Sequence, residues 1–269
     1  MLTDYHTHTW RCGHAIGTMD DYVETAIRRG IAEIGLSDHL WLYFDPPERR
    51  DARWAMSEEE YEAHYTEMLA TRERFAGRIE VRVSVEADYF EGREDDLLAI
   101  LRRYDFDYVL GGIHFMGEWL IDDPDQRHRY DAESVAAIYR DYYRRLRSAV
   151  RSGAFDLLAH FDLPKKFGHV PESDIAEDVA ETLDAVAESG IAVEISSAGL
   201  RAEKPGMYPA PSILREMRRR GIPIALSSDA HDPRDVGFGY DALVEAAHAA
   251  GYRSLVTFQR RERRMMPLG

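Results

Sequence analysis

The sequence predicts an α/β barrel of seven β/α units, and three observations predict it. Short runs rich in Val, Ile and Leu alternate along the 269 residues with amphipathic stretches carrying Arg/Glu faces, the pattern of strands feeding helices. Glycines stand where those helices should stop, at Gly30, Gly153, Gly190, Gly221 and Gly251, and repeated strand-then-helix order with tight exits implies parallel strands. Histidines and isolated carboxylates recur just after the strands, and a barrel gathers all of those ends on one face.

In chain order the expected strands are Leu2 to Tyr5, Glu33 to Leu36, Val81 to Val85, Tyr108 to Gly111, Leu157 to Ala159, Val193 to Ile195 and Ile222 to Leu226. A last run, Ser254 to Phe258, reads as an extra edge strand or the start of a tail, and the RRERR run after it as a solvated basic tail of about ten residues. The expected helices are Asp20 to Arg29, Glu58 to Phe75, Arg93 to Arg103, Ala132 to Arg151, Asp174 to Ser189, Pro211 to Arg220 and Tyr240 to Ala250. Ser57 precedes Glu58, Glu59 and Glu60, a cap followed by acidic residues at the positive end of the helix dipole. Two connections are long, Leu40 to Met56 and Phe115 to Tyr130; as loops after strands they are candidates for substrate recognition. No domain boundary interrupts residues 1–269.

Composition narrows the function. A formal charge of −15 opposes a phosphate backbone and argues against a nucleic-acid partner, while bound divalent metals would still let an acidic protein take a small anionic substrate. No apolar run approaches the ~18 residues of a membrane span. The lone Cys12 has no internal disulfide partner and the start lacks a charged-then-apolar leader, which points to a cytoplasmic protein. Oligomeric state is not legible.

The chemistry lies in what the strands deliver. His6 and His8 follow the first, His39 the second, Glu86 ends the third, His114 follows the fourth, His160 ends the fifth, and Asp229 with His231 follow the seventh. One histidine at a strand end is usually a satisfied structural residue, but so many buried imidazoles without a metal would lack partners. In His6-Thr7-His8 and Asp229-Ala230-His231 the two side chains are one residue apart, so an extended backbone points both to the same side. Imidazole and carboxylate without thiolate suit Zn, Mn or Fe, and Glu86 is placed to bridge two ions. A water shared by such ions becomes the nucleophile for a phosphate ester.

These motifs, DYHTHT, SDH and SDAH together with CGHAIGT, EADYFEG, GGIHFMGEW, AHFDLPKKF and EISSAGLRAEKPGMYP, resemble the histidinol-phosphate phosphatase branch of the PHP (polymerase and histidinol phosphatase) superfamily over nearly the whole chain. The resemblance implies a distorted (β/α)7 TIM-like barrel and three divalent ions. It assigns His6, His8, Glu86 and Asp229 to the first ion, Glu86, His114 and His160 to the second, and His14, His39 and His231 to the third; His14 is a ligand by resemblance only. The activity it implies is hydrolysis of L-histidinol phosphate to L-histidinol, in histidine biosynthesis, by a metal-bridging hydroxide.

Catalytic candidates are accordingly Glu86, Asp229, His231 and Arg201. Arg201, after the sixth strand, offers a planar fork for phosphate oxygens, with Lys166 and Lys165 next. Asp45, Asp122, Asp123 and Trp119 in the long loops are expected to read the substrate's imidazole or amine. His64 and His248 are expected on helix surfaces, and His128 and His169 near the rim. The rival readings are a related phosphatase acting on another small phosphate ester or nucleotide, and a catalytically silent metal-binding barrel.

Overall fold

A computed structural model describes residues 1–269. Its strands are β1 (Thr3–Asp4), β2 (Glu33–Leu36), β3 (Glu80–Asp88), β4 (Tyr108–Gly112), β5 (Phe115–Met116), β6 (Trp119–Leu120), β7 (Leu157–Leu158), β8 (Ala192–Ser196), β9 (Ile224–Ser227), β10 (Ser254–Gln259) and β11 (Glu262–Pro267). Seven of them pair in the order β1-β2-β3-β4-β7-β8-β9, each parallel to the next, in a nearly closed barrel. Backbone bonds join the first strand to the last. Tyr5 N donates to Leu226 O at 3.2 Å, His8 N to Ala230 O at 2.9 Å, and Ala230 N to His6 O at 3.2 Å.

The helices are α1 (Met19–Arg28), α2 (Glu58–Arg74), α3 (Glu94–Leu101), α4 (Val135–Ser152), α5 (Ala176–Ser189), α6 (Pro211–Arg219) and α7 (Tyr240–Ala250). Their starts are written locally. Ser57 accepts from Glu60 N while Glu60 reaches back to Ser57 N, and Thr18 and Asp21 make the same reciprocal pair at α1. No helix is long and apolar enough to cross a membrane.

Two expectations are corrected. The residues read as a basic tail form β11, which pairs antiparallel with β10 from Ser254↔Pro267 to Gln259↔Glu262. Most of β11 is exposed and its apolar residues do not alternate, so only the pairing makes it a strand. Val256 and Phe258 of β10 pack with Tyr5, Tyr108, Leu110, Leu157, Ala159, Ala192 and Ala225 of the barrel, and Arg260 N at the hairpin turn donates to Asp107 Oδ1 at 3.1 Å. Asp107 precedes β4, so the hairpin seals the amino end of the barrel and leaves the carboxyl end open. The second correction is His64. It is fully buried on α2, in the inward stripe of Tyr61, His64, Met68 and Thr71, with Nε2 3.3 Å from Asp38 Oδ2.

Candidate metal centre

All nine candidate ligands converge at the carboxyl end of the barrel. Glu86 is their hub. Its Oε2 lies 3.1 Å from His6 Nε2, 3.4 Å from His8 Nε2 and 3.1 Å from His39 Nδ1, while Oε1 lies 3.1 Å from His160 Nε2 and 3.7 Å from His114 Nε2. Asp229 Oδ1 lies 3.3 Å from His8 Nε2, 3.6 Å from His6 Nε2 and 3.5 Å from His231 Nδ1. His14, carried in by the loop after a 3-10 turn at Trp10–Cys12, faces His231 and His39 with ring centroids 4.8 and 5.4 Å away. His39 stands between groups: its donor atoms fall within 4.8 Å of those of His8 and His231, and also of those of Glu86 and His114.

The backbone bends to achieve this. His160 and Asp229 adopt positive φ, 21° and 50°, at a cost on the order of 1 kcal/mol or more each. Hydrogen bonds on both flanks hold Asp229. Asp4 accepts from Ser228 N at 2.8 Å and from Ser228 Oγ at 2.6 Å, and Ala230 N donates to His6 O.

The donor set fits a group of cations. His6 Nε2, both nitrogens of His8, and His160 Nδ1 are buried with no hydrogen-bond partner, and each such orphan costs about 1–3 kcal/mol if nothing binds it. Several rings have the other nitrogen occupied: His114 Nδ1 lies 2.8 Å from Asp88 Oδ1, and His14 Nδ1 lies 2.8 Å from Arg53 O. That leaves Nε2 facing the cluster, the arrangement that orients metal-binding imidazoles. Burial would raise the Glu86 carboxyl, but His6, His114 and His39 hold it well below the usual range; Asp229 is likewise held low despite burial, by His6 and His8. Burial and repulsion from His8 keep His39 well down and push His231 down to about 3. Ionised carboxylates and neutral imidazoles are the metal-binding forms, which His39 and His231 already favour. In His6 and His114 burial is outweighed by the facing carboxylates, raising His6 well above its usual range and His114 to about 10, so a cation would displace a proton from each.

A cavity of about 410 Å³ opens over this cluster, lined by His14, His39, Glu86, His114, His160, Asp229 and His231. His6 and His8 are fully buried beneath it. Lys166 and Arg201 also line it. Lys166 Nζ donates to Asp122 Oδ2 at 2.9 Å, and burial is outweighed by Lys166 and His114 in drawing Asp122 down to about 2. Arg201 Nη2 is spent on Ser228 O and Asp229 O at 2.8 and 2.9 Å and Nε faces Asp235 at 3.4 Å, so only the buried, partnerless Nη1 is free for an anion, not the whole fork.

Other expected contacts are not brought together. Lys165 does not line the cavity: its Nζ donates to Asp162 Oδ2 at 2.7 Å and to Met207 O at 2.6 Å. Asp123 caps the 3-10 helix Pro124–Asp131, Asp45 pairs with Arg49, and Trp119 is buried with its ring edge-on to Tyr130. The long-loop aromatics that do reach the cavity are Trp54 and Phe115, which had no signal beyond their place in those loops. Asp88 and Glu194 were also missed, although a lone Glu inside the apolar run AVEIS was a readable sign. His128 is exposed at the loop, His248 is half-buried, and His169 stacks on Tyr130 at 4.4 Å.

Comparison with known proteins follows the same lines. Residues 4–198 match the family model described as PHP domain. A Deinococcus radiodurans protein named as a probable histidinol-phosphatase is 39% identical over 266 residues, 99% of each chain. The histidinol-phosphatase of Bacillus subtilis is 28% identical over 90% of this chain and 98% of its own. Among solved structures, histidinol phosphate phosphatase from Lactococcus lactis, complexed with zinc, L-histidinol and phosphate, aligns with a TM-score of 0.83 at 20% identity over 98% of both chains. At that identity the likeness speaks for the fold.

Proposed function

This chain belongs to the PHP domain family, and on that premise we propose that it is a phosphomonoesterase hydrolysing L-histidinol phosphate to L-histidinol and phosphate. The observation that carries the proposal is the convergence of nine metal-capable side chains under a cavity that also offers two cationic donors and an acidic, aromatic wall. The full-length relative named as a probable histidinol-phosphatase directs the choice of substrate.

Three divalent ions, of Zn, Mn or Fe, would be held by His6, His8, Glu86 and Asp229, by Glu86, His114 and His160, and by His14, His39 and His231. Bound there, they would supply Lewis-acid neutralisation of the phosphoryl oxygens and a lowered pKa for water. The chain's own groups do the rest. Glu86 divides its two oxygens between neighbouring ligand groups, so one carboxylate sets their spacing. Arg201 Nη1 and the Lys166 ammonium address phosphate oxygens, and because Arg201 also grips the carbonyls of Ser228 and Asp229, the anion site and the Asp229 ligand are held in one frame.

Asp122 and Asp88 face the cavity and suit the substrate's ammonium and imidazole, while Leu42, Trp54, Phe115 and Tyr208 give the ring an apolar wall. The proportions agree, since ~300 Å³ is the lower end for small-molecule sites. Phosphate release from histidinol phosphate, phosphotyrosine, nucleotides and p-nitrophenyl phosphate, with and without added Zn or Mn, tests the reading. The expected result is the highest kcat/KM on histidinol phosphate, dependent on metal. Faster turnover of another member would replace the substrate, and no turnover of any would return the chain to a silent metal-binding barrel.

A further inference from the structure

Strand β8 is the barrel strand from which no ligand was expected, yet its centre carries Glu194, fully buried against the candidate ligands His6 and His160. Its Oε1 accepts from His160 N at 2.6 Å; its Oε2 accepts from Ser227 Oγ at 2.6 Å and lies 3.0 Å from His6 Nδ1. No lysine or arginine pairs with it, so His6 is its one ionisable partner. The opposite nitrogen of that ring, Nε2, has no hydrogen-bond partner and points between Glu86 Oε2 at 3.1 Å and Asp229 Oδ1 at 3.6 Å.

We propose that Glu194 is a positioning residue that fixes His6 as its Nδ1–H tautomer and so turns the Nε2 lone pair toward the cation shared with Glu86 and Asp229. The inference rests on the reading of His6 as a ligand. A carboxylate only accepts hydrogen bonds, so the imidazole nitrogen facing Glu194 carries a proton; a cation held by Glu86 and Asp229 would displace any proton those two carboxylates draw onto Nε2 and take that nitrogen as its ligand. The same carboxylate tethers the backbone of His160, another candidate ligand, in the turn just past the neighbouring strand β7. One buried side chain thereby sets the ring of the first ligand and the turn that presents another.

Geometry makes Glu194→Gln a sharp test. Oε1 faces a backbone N–H, which can only donate, so the amide oxygen must take that place. The amide NH2 is then forced against His6 Nδ1, which must give up its proton to Nε2, on the metal side; Ser227 Oγ can rotate to accept. A Glu194 that merely held strands together would lower stability while leaving the folded fraction's metal affinity unchanged.

The expected result for folded Glu194→Gln, titrated with Zn against a chromophoric chelator, is one ion bound 10- to 100-fold more weakly, the range for loss of a ligand's orienting partner. In zinc-loaded wild-type protein labelled with 15N-histidine, the His6 ring, assigned by its disappearance in His6→Ala, should carry its proton on Nδ1. Wild-type affinity for every ion in folded Glu194→Gln, or a wild-type spectrum with the proton on Nε2, overturns the proposal; should the variant not fold, the wild-type spectrum decides. His6→Ala separates the two levels. Loss of an ion there supports the ligand reading independently of Glu194, whereas retention of every ion overturns that reading and this proposal with it.

Discussion

A β-carbon placed on Gly112 would lie 3.0 Å from His114 Cε1, 3.1 Å from Glu86 Oε1 and 3.2 Å from His160 Cε1, all three in the candidate second ligand group. Gly112→Ala is therefore expected to keep the fold and to weaken one ion by about 10-fold or more, as for a disturbed ligand shell. Metal content after dialysis beside a thermal melt checks this; full metal occupancy would show that the rings yield without cost. The case illustrates what single residues disclose before a structure exists. The nine metal-capable side chains were legible because each stands at a strand exit or in a motif, and strand exits share one face. Their supporting groups were not. Asp88 and Glu194 matter through the nitrogen that each engages, and that depends on how neighbouring strands pack. Adjacent Lys165 and Lys166 look equivalent in sequence, yet the short 3-10 turn Leu163–Lys165 sends one to Asp162 and the other to Asp122 at the cavity.

Among the elements, helices were the most readable because their ends are encoded within a few residues. Helix α2 starts at the residue that Ser57 and the acidic run following it predicted, since the cap satisfies otherwise free N–H groups. Ser57→Ala should cost about 1 kcal/mol of stability in urea denaturation, and no change in phosphatase activity should accompany it. A loss of activity greater than the loss of folded protein would mean that α2 transmits strain to Asp38, which its buried His64 approaches. His64 itself was misjudged although its signal was present: Tyr61, His64, Met68 and Thr71 recur at the spacing of one helix face. The long loops were recognised as part of the site but not resolved into their parts. Their β5–β6 hairpin and 3-10 helix are too short to leave a periodic pattern, and they turn Trp119 inward while Trp54 lines the cavity. Strand β11 was lost for a different reason: it is six residues long, but its partner β10 defines it and its own alternation does not.

At the scale of the molecule, the barrel has a sealed end and a reactive end, and the two should fail separately. Phe258, 2% exposed, packs against Tyr5 and Tyr108 with ring centroids 5.9 and 5.4 Å away. Phe258→Ala should cost about 3–5 kcal/mol, read by denaturation, while the folded fraction keeps its metal content. Metal removal should do the reverse. Burial has been imposed on His6, His8 and His160 without partners for all of their ring nitrogens, so the cluster is a local liability that bound cations relieve. Each ion at 100 times its dissociation constant adds about 2.7 kcal/mol to stability by linkage, so dialysis against chelator should abolish phosphatase activity and lower the melting temperature. The seven-strand pairing and the hairpin seal owe nothing to the cluster, so far-UV circular dichroism should stay that of the native barrel, and activity should return when Zn or Mn is added back. Collapse of the far-UV signal on chelation would instead mean that the metals hold the barrel together, and the carboxyl end could no longer be treated as a site built onto an independent scaffold.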